Sequence, residues 1–239
     1  MKPKHPQKPL SLWAHLLSWL FPEHCVNCGE PLNPSDRRNG ACALCLSNLQ
    51  TVVHETLYDL DLGPDLESSC GAVIFPCRVA GPYRNQLGES IRRMKFHGKT
   101  SHAKGLGHMA AVAAQSYSAV FDKVSFVPMT QKSLRKRGFN QSALLAEVLA
   151  EILEIPCEAL LSKTGDTASQ HTLDAQRRQH NLRGKFLPLP ACRDQRILLV
   201  DDICTTGHTL SECAQTLYRG GAKEVRGVCA AGSQNGHFL

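Results

Sequence analysis

The 239-residue sequence predicts an α/β fold: a doubly wound, mostly parallel sheet, preceded by a small zinc-binding module of four cysteines. Strand-like and helix-like segments alternate along residues 69–239, which is typical of a parallel sheet with helices on both faces. Four consecutive aliphatic residues at 197–200 are typical of a central strand buried on both sides. Two closely spaced cysteine pairs near the amino terminus indicate the metal module.

The predicted units are residues 1–60 and residues 69–239, with a linker over residues 59–69. The apolar content of 42% is ordinary for a globular protein. A formal net charge of +6 fits a protein that handles phosphates or nucleic acid, and it does not distinguish between the two.

The amino-terminal residues 10–21 are apolar, but these 12 residues are fewer than the roughly 20 that a membrane-spanning helix needs. They also lack the small-residue cleavage site of a signal peptide. We therefore expect no transmembrane segment, and an amphipathic helix that docks on the zinc module or on the larger domain. Without export, the 11 cysteines imply reduced thiols and a cytoplasmic location.

Cys25 and Cys28 form one cysteine pair, and Cys42 and Cys45 form the other. Two residues separate the members of each pair, a spacing typical of structural Zn²⁺ held by four thiolates. Turn-forming residues between the pairs let the chain fold back so that both pairs meet at one ion. Two disulfide bonds are the alternative, but nothing in the sequence indicates secretion, so zinc is the favoured interpretation.

The larger unit is predicted to begin with a strand, a turn at Gly81-Pro82, and two helices. Gly220-Gly221 is expected to end the last helix before the final strand. The predicted strands cover residues 71–78, 123–127, 159–161, 197–200 and 224–229, and the predicted helices cover residues 86–96, 103–117, 141–154 and 209–219.

Asp201 and Asp202 directly follow the predicted strand 197–200, and the carboxyl end of such a strand is where open α/β sheets bind ligands. Residues 205–209 then place three threonine hydroxyls around a glycine at the start of a helix, where backbone N–H groups attract phosphate. Two adjacent carboxylates repel phosphate, so they fit sugar hydroxyls or a bound Mg²⁺. The pattern predicts a ligand like ribose 5-phosphate; an ordinary acidic turn that caps a helix is the alternative.

This segment resembles, position by position, the phosphoribosyl pyrophosphate signature of the type I phosphoribosyltransferases. The resemblance implies that Asp201 and Asp202 hold the ribose hydroxyls of phosphoribosyl pyrophosphate and that Mg²⁺ accompanies it. It also implies that the 5-phosphate is bound by Cys204, Thr205, Thr206, Gly207, His208 and Thr209.

Two of these positions carry side chains that can take part in chemistry, a thiol and an imidazole. The Cys204 thiol lies near a helix amino terminus, which would depress its pKa, and His208 could act as an acid or base. We favour the simpler interpretation for both, namely a small side chain and a solvated loop histidine.

Two upstream segments resemble the rest of that active site. The turn at residues 127–130 leads into a basic loop, and in the family such a turn holds the pyrophosphate leaving group. Arg135 and Arg137 are then expected to stabilise the charge that develops as the bond breaks. The second segment resembles the mobile hood over the substrate and contains Thr167, Gln170, Leu173, Arg177, Arg178, Asn181 and Leu182.

The Arg-x-Arg-Gly-Phe-Asn-Gln stretch at residues 135–141, the hood and the acidic loop together resemble the ComF/GntX-type competence and DNA-utilisation proteins. Members of that group carry a cysteine-rich amino-terminal module, and the resemblance spans nearly the whole sequence. Many relatives have a second run of paired cysteines, where this chain has only Cys70 and Cys77, which we interpret as ordinary small residues. The hood also opens with residues 162–166 in place of an arginine-rich stretch.

Two functions follow as hypotheses. The first is a magnesium-dependent phosphoribosyltransferase, linked by the resemblance to DNA uptake or to the use of external DNA, whose acceptor substrate is not identified. The second is a non-catalytic protein of the uptake machinery that binds single-stranded DNA or a protein such as a helicase. A cluster of cations with an aromatic residue favours the second hypothesis, because proteins that bind single strands use such clusters. The alternative interpretation of the cluster is a solvated helix face. These residues are Arg92, Arg93, Lys95, Phe96 and His97.

Overall fold

The computed structural model describes residues 22–52, 57–61, 74–164 and 185–233. The helix predicted over residues 10–21, the hood residues between 167 and 182, and Cys70 lie outside these ranges.

Helices and strands alternate along most of the described chain. The helices are α1 (Ala43–Val52), α2 (Asn85–His97), α3 (His102–Gln115), α4 (Gln131–Arg137), α5 (Gln141–Leu153) and α6 (His208–Arg219). The strands are β1 (Leu57–Asp61), β2 (Ile74–Val79), β3 (Lys123–Phe126), β4 (Leu161–Lys163), β5 (Phe186–Pro188), β6 (Arg196–Cys204) and β7 (Glu224–Gly232).

Five of these strands form one mixed sheet in the order β1-β2-β7-β6-β3. Strands β2, β7, β6 and β3 are parallel, and β1 is an antiparallel edge strand beside β2. Strands β4 and β5 form a separate antiparallel pair. The predicted α/β class with a mostly parallel sheet is confirmed.

Helices cover both faces of the sheet, and the side chains of β6 show this directly. Leu198 and Val200 belong to a hydrophobic core shared with α2, α3 and α5. Ile197 and Leu199 belong to a second core shared with α6. Because side chains alternate along a strand, the two cores lie on opposite faces, and β6 is buried on both.

The cysteine module packs on the first of these cores. Val26 and Leu49 are buried in the same cluster as the helices α2 and α3. At Gly40, whose φ is +67°, a Cβ atom would lie 2.6 Å from the backbone nitrogen of Gly105 on α3. The module and α3 therefore meet at a backbone-to-backbone approach that only glycine permits.

The structure corrects three of the predicted local assignments. Residues 59–61, expected at the start of the linker, lie in the edge strand β1. The basic stretch after β3, expected to be a loop, forms the short helix α4, because Thr130 caps it by accepting a hydrogen bond from the Ser133 N–H at 3.2 Å. Strand β6 continues past Val200 to Cys204, so both acidic residues lie within the strand.

Candidate functional site

Asp201 and Asp202 lie near the carboxyl end of β6, between the carboxyl ends of β3 and β7. The side chain of Asp202 is nearly fully buried, at 6% exposure, and Asp201 is half-buried. Because the flanking strands are parallel, this edge also collects the turn after β3 and the loop after β6.

The first two residues of α5 orient the two carboxylates. The Ser142 hydroxyl donates to Asp201 Oδ1 at 2.7 Å, and Gln141 Nε2 donates to Asp202 Oδ2 at 3.2 Å. The Asn140 side chain fixes this helix start, since it accepts from the Ser142 N–H at 3.0 Å and donates to the Val127 carbonyl at 3.0 Å. The turn after β3, the start of α5 and the acids thus form one hydrogen-bonded unit.

A lysine completes the environment of the acids. Lys95 on α2 places Nζ 2.8 Å from Asp202 Oδ2, with its side chain 24% exposed. Burial lowers the pKa of this ammonium, but the nearby Asp202 carboxylate outweighs burial and raises it. Burial and the neighbouring Asp202 charge raise the pKa of Asp201 to about 7.

The loop after β6 forms a small anion-sized recess. Its lining residues run from Ile203 to Leu210 together with Asp201, around a space of about 40 Å³. Gly207, with φ of 74°, is the N-cap residue directly before α6, and a Cβ there would lie 2.4 Å from the Leu60 side chain. The tight turn therefore requires glycine for both its dihedral angle and its contact with β1.

Hydrogen-bond donors in this loop are unused. Within the described chain, neither the backbone N–H nor the hydroxyl of Thr206 or Thr209 has a partner. Thr205 and Thr206 are exposed, while His208 and Thr209 are half-buried. Free donors at the start of a helix are what an anionic group binds.

A larger cavity of about 230 Å³ lies beside the recess. Its walls are the two acids, the start of α5, the turn after β3 with the start of α4, and the side chains of Lys95 and Lys163. Asp201 lines both spaces, so one ligand can extend from the anion-sized recess across the acids into the cavity.

Arg135 and Arg137, expected near the pyrophosphate, lie in the last turn of α4. Arg135 is exposed and Arg137 is half-buried, and the residues that line the cavity do not include either of them. Neither arginine side chain therefore lines the cavity.

Cys204 points away from solvent, with 1% exposure, into the core that also holds Cys77 and Cys229. The Sγ atoms of Cys77 and Cys229 lie 4.0 Å apart. Hydrogen bonds from these two thiols lower the pKa of Cys204 to about 4. Because the thiol is buried, it does not reach a ligand in the recess. Cys204 contributes to the loop through its backbone and through the small size of its side chain.

Cys25, Cys28, Cys42 and Cys45 converge as the sequence predicts. Their four Sγ atoms all lie within 4.8 Å of one another. The 3.8 Å between Cys28 Sγ and Cys42 Sγ matches the edge of about 3.8 Å of a tetrahedron with Zn–S bonds of about 2.3 Å. The Cys42 N–H donates to Cys25 Sγ at 3.3 Å, and Asn27 Nδ2 donates to Cys45 Sγ at 3.3 Å. The group could hold a metal ion.

The sequence placed Gln141 in the segment that resembles part of the family's active site, but it gave Lys95, Ser142 and Lys163 no role there. The start of α5 could have been found, because helix residues that follow an Asn cap beside a strand end face the same edge as the acids. Lys95 and Lys163 gave no signal, since each comes from an element distant in sequence from β6.

Comparisons with known proteins identify a family model and relatives that match this chain. The family model of the phosphoribosyl transferase domain matches residues 140–237. The DNA utilization protein YhgH of Escherichia coli O157:H7 is 40% identical over 154 residues, which is 62% of this chain and 67% of the relative. Competence protein F of Haemophilus influenzae is 25% identical over 225 residues, covering 86% of this chain and 95% of the relative.

One similar solved structure is glutamine phosphoribosylpyrophosphate amidotransferase from B. subtilis, complexed with ADP and GMP. The similarity covers 59% of this chain and 30% of the amidotransferase chain, with 24% sequence identity and a TM-score of 0.41. The phosphoribosyl transferase match and the named relatives define the class. The chain belongs to the ComF-type family of competence and DNA-utilisation proteins, which carry a phosphoribosyl transferase domain.

None of the helices in the described ranges combines the length and the apolar character needed to cross a membrane.

Proposed function

We propose that the chain binds phosphoribosyl pyrophosphate together with Mg²⁺ and acts as a phosphoribosyltransferase in the use of DNA. The observation that carries the proposal is the pair Asp201 and Asp202 beside a loop of unused donors, since carboxylates fit the ribose diol and the loop fits a phosphate. In the described chain, Asp201 Oδ2 and Asp202 Oδ1 have no hydrogen-bond partner and are available to the diol.

The residues also fit the proposed cation. Free carboxylate oxygens and ligand phosphates are the oxygen donors that Mg²⁺ prefers, and Mg²⁺ usually enters a site with its phosphate ligand. The ion would neutralise charge on the pyrophosphate, while Asp201, Asp202 and the loop orient the sugar. Transfer at the anomeric carbon then requires positioning and charge placement from the protein.

Isothermal titration calorimetry with Mg²⁺ and phosphoribosyl pyrophosphate tests the proposal. We expect the wild-type chain to bind, and Asp202→Asn to weaken binding at least about tenfold because a buried charge-assisted contact is lost. Asp194→Asn, an exposed site, is the matched control and should bind like the wild type. Equal binding by Asp202→Asn, or no binding by any form, refutes the proposal.

We further propose that the four cysteines hold a structural Zn²⁺, because their four Sγ atoms converge to within 4.8 Å of one another. The ion would then take the place of a hydrophobic core inside the module.

A second candidate function is binding of single-stranded DNA. It is favoured by Phe96, which is 64% exposed on α2 near the exposed cation Arg93, because bases stack on such aromatic rings. The exposed end of α4 with Arg135 adds positive charge. Binding of DNA is compatible with the first function. Phe96 and Arg135 do not line either of the two spaces beside Asp201 and Asp202.

Fluorescence anisotropy with a labelled oligonucleotide tests this candidate. We expect affinity that falls steeply with salt, because counterion release drives such binding, and that is strongly reduced in Phe96→Ala and Arg135→Glu. Lys223→Glu, an exposed site directly before the amino end of β7, controls for the change in net charge. Binding that is absent or insensitive to salt counts against it.

A further inference from the structure

A cavity of about 500 Å³ lies where the cysteine module meets α2 and α3. We call it the module cleft; residues 22–40 line one side, and residues 86–104 line the other. Its volume is about twice that of the cavity beside the acids and falls in the range of about 300–1,000 Å³ that small-molecule sites occupy. None of its lining residues also lines the recess or the cavity at the acids, so the module cleft is a separate site.

Hydrogen bonds and a close backbone contact hold the two sides of the module cleft together. The Ser90 hydroxyl on α2 is buried and donates to the Val26 carbonyl of the module at 2.9 Å. Lys104 Nζ on α3 donates to the Arg37 carbonyl of the module, also at 2.9 Å. Together with the approach of Gly40 to the backbone of α3, these contacts fix the spacing of the walls. A preformed site of this kind loses little free energy to ordering when a ligand binds.

The charged residues of the lining are mostly cations. Arg93, Lys99 and Lys104 contribute three positive charges and Glu23 contributes one negative charge, which leaves +2 with the histidines neutral. In the part of the chain that the structure describes, Lys99 forms no salt bridge. Arg93 pairs with Glu89 at 2.9 Å, an exposed contact that contributes little stability. The charge of +2 matches a phosphate monoester, which carries about −1.5 to −2 at neutral pH, better than a phosphodiester, which carries about −1.

His102 adds an oriented ring nitrogen to the cationic side. Its Nδ1 lies 3.0 Å from the Ser90 carbonyl, and because a carbonyl oxygen only accepts, Nδ1 carries the proton. Nε2 is then left for a ligand, and it has no hydrogen-bond partner among the described residues. His102 is also the first residue of α3, where the helix dipole favours an anion.

The module side of the cleft is partly apolar. Pro22, Val26 and Leu32 line it, whereas the three cations come from α2, from the turn that follows it and from the first turn of α3. A ligand with a phosphate at one end and an uncharged organic part at the other matches this division.

We propose that the module cleft binds a phosphate monoester of mononucleotide size. Arg93, Lys99 and Lys104 bind the phosphate, and the organic part lies against the apolar residues of the module. The inference does not rest on the proposed function, because no residue of the acid site takes part in it.

Isothermal titration calorimetry of the full chain with AMP, adenosine and inorganic phosphate tests the inference. We expect AMP to bind the wild type, and adenosine and inorganic phosphate each to bind at least about tenfold more weakly, since each has only one part of the ligand. In Arg93→Met and in Lys99→Met, AMP should bind about three- to tenfold more weakly, because each variant loses a charged contact at an exposed position. Lys99→Arg should restore the affinity, and thermal unfolding checks that each variant folds.

The controls separate the module cleft from other anion sites. Arg38→Met and Lys223→Met remove exposed cations that do not line the cleft, and both should bind AMP like the wild type. Asp202→Asn should also keep the wild-type affinity for AMP, because this acid lies in the other site. An unphosphorylated single-stranded oligonucleotide should compete with AMP only weakly, since it carries no phosphate monoester.

A wild-type chain that does not bind AMP overturns the inference and leaves the proposed binding of phosphoribosyl pyrophosphate intact. AMP affinity that is lost in Asp202→Asn but unchanged in folded Arg93→Met and Lys99→Met variants also overturns it, because AMP would then bind at the acids. An oligonucleotide that displaces AMP at lower concentration than AMP itself requires would assign the cleft to a nucleic acid strand instead.

Discussion

Neighbouring residues of one helix orient neighbouring carboxylates of one strand at this site. Ser142 and Gln141 each hold one acid, and Lys95 balances the charge of Asp202. Gln141 Oε1 is buried and has no partner among the described residues, which costs on the order of 1–3 kcal/mol. Such a cost beside two acids is typical of a site that is built for a ligand.

Asp201 makes the stability of the chain depend on pH. Its folded pKa of about 7 lies above the ordinary value of about 3.9. Between these two values the folded state binds more protons than the unfolded state, so the free energy of unfolding falls as pH rises through this range and levels off above about 7.

We therefore expect Asp201→Asn to flatten the decrease in melting temperature between about pH 4 and pH 7, and to raise stability at the upper end. Differential scanning calorimetry across this pH range measures the dependence of the melting temperature on pH. Asp194→Asn removes an exposed carboxylate at a φ of 59° that Asn tolerates, and it should keep the wild-type slope. A slope unchanged by Asp201→Asn would contradict the assignment.

At the scale of elements, the sequence predicts best where a single periodicity dominates. The spaced apolar residues of α5 predicted its bounds to within one residue, and the aliphatic run located the centre of β6, although the strand extends to Cys204. Helix α4 was missed because its one apolar residue, Leu134, provides no helical stripe, although the Thr130 cap marks its start. The edge strand β1 was missed because its five residues lie in a stretch that resembles a linker.

The residues of the candidate site also differ in whether the sequence could predict them. Asp201, Asp202 and the threonine loop are contiguous in sequence, so their chemistry can be predicted from a motif. Lys95 and Lys163 reach the site only through the packing of α2 and the position of β4. A lysine that enters a site by tertiary packing carries no local signal that distinguishes it from a solvated one.

At the scale of the whole molecule, the cysteine module shares a core with the larger unit. Buried residues of the module, including Cys25 and Leu49, belong to the same cluster as α2, α3 and α5. Loss of the metal is therefore expected to loosen more than the module itself.

Metal analysis and thermal unfolding test this coupling. We expect one zinc per chain, lost in Cys28→Ser, and a lower melting temperature of the whole chain after chelation, because metal binding contributes folding free energy. Cys157→Ser, a half-buried cysteine outside the group, should keep the metal. A chain without zinc, or one whose unfolding ignores chelation, would contradict this expectation.

A crystal structure with phosphoribosyl pyrophosphate and Mg²⁺ tests the central claim most directly. The account predicts the 5-phosphate in the recess of residues 205–209 and the ribose hydroxyls on Asp201 and Asp202. A ligand bound elsewhere, or acids that make no contact with the ribose, would contradict it.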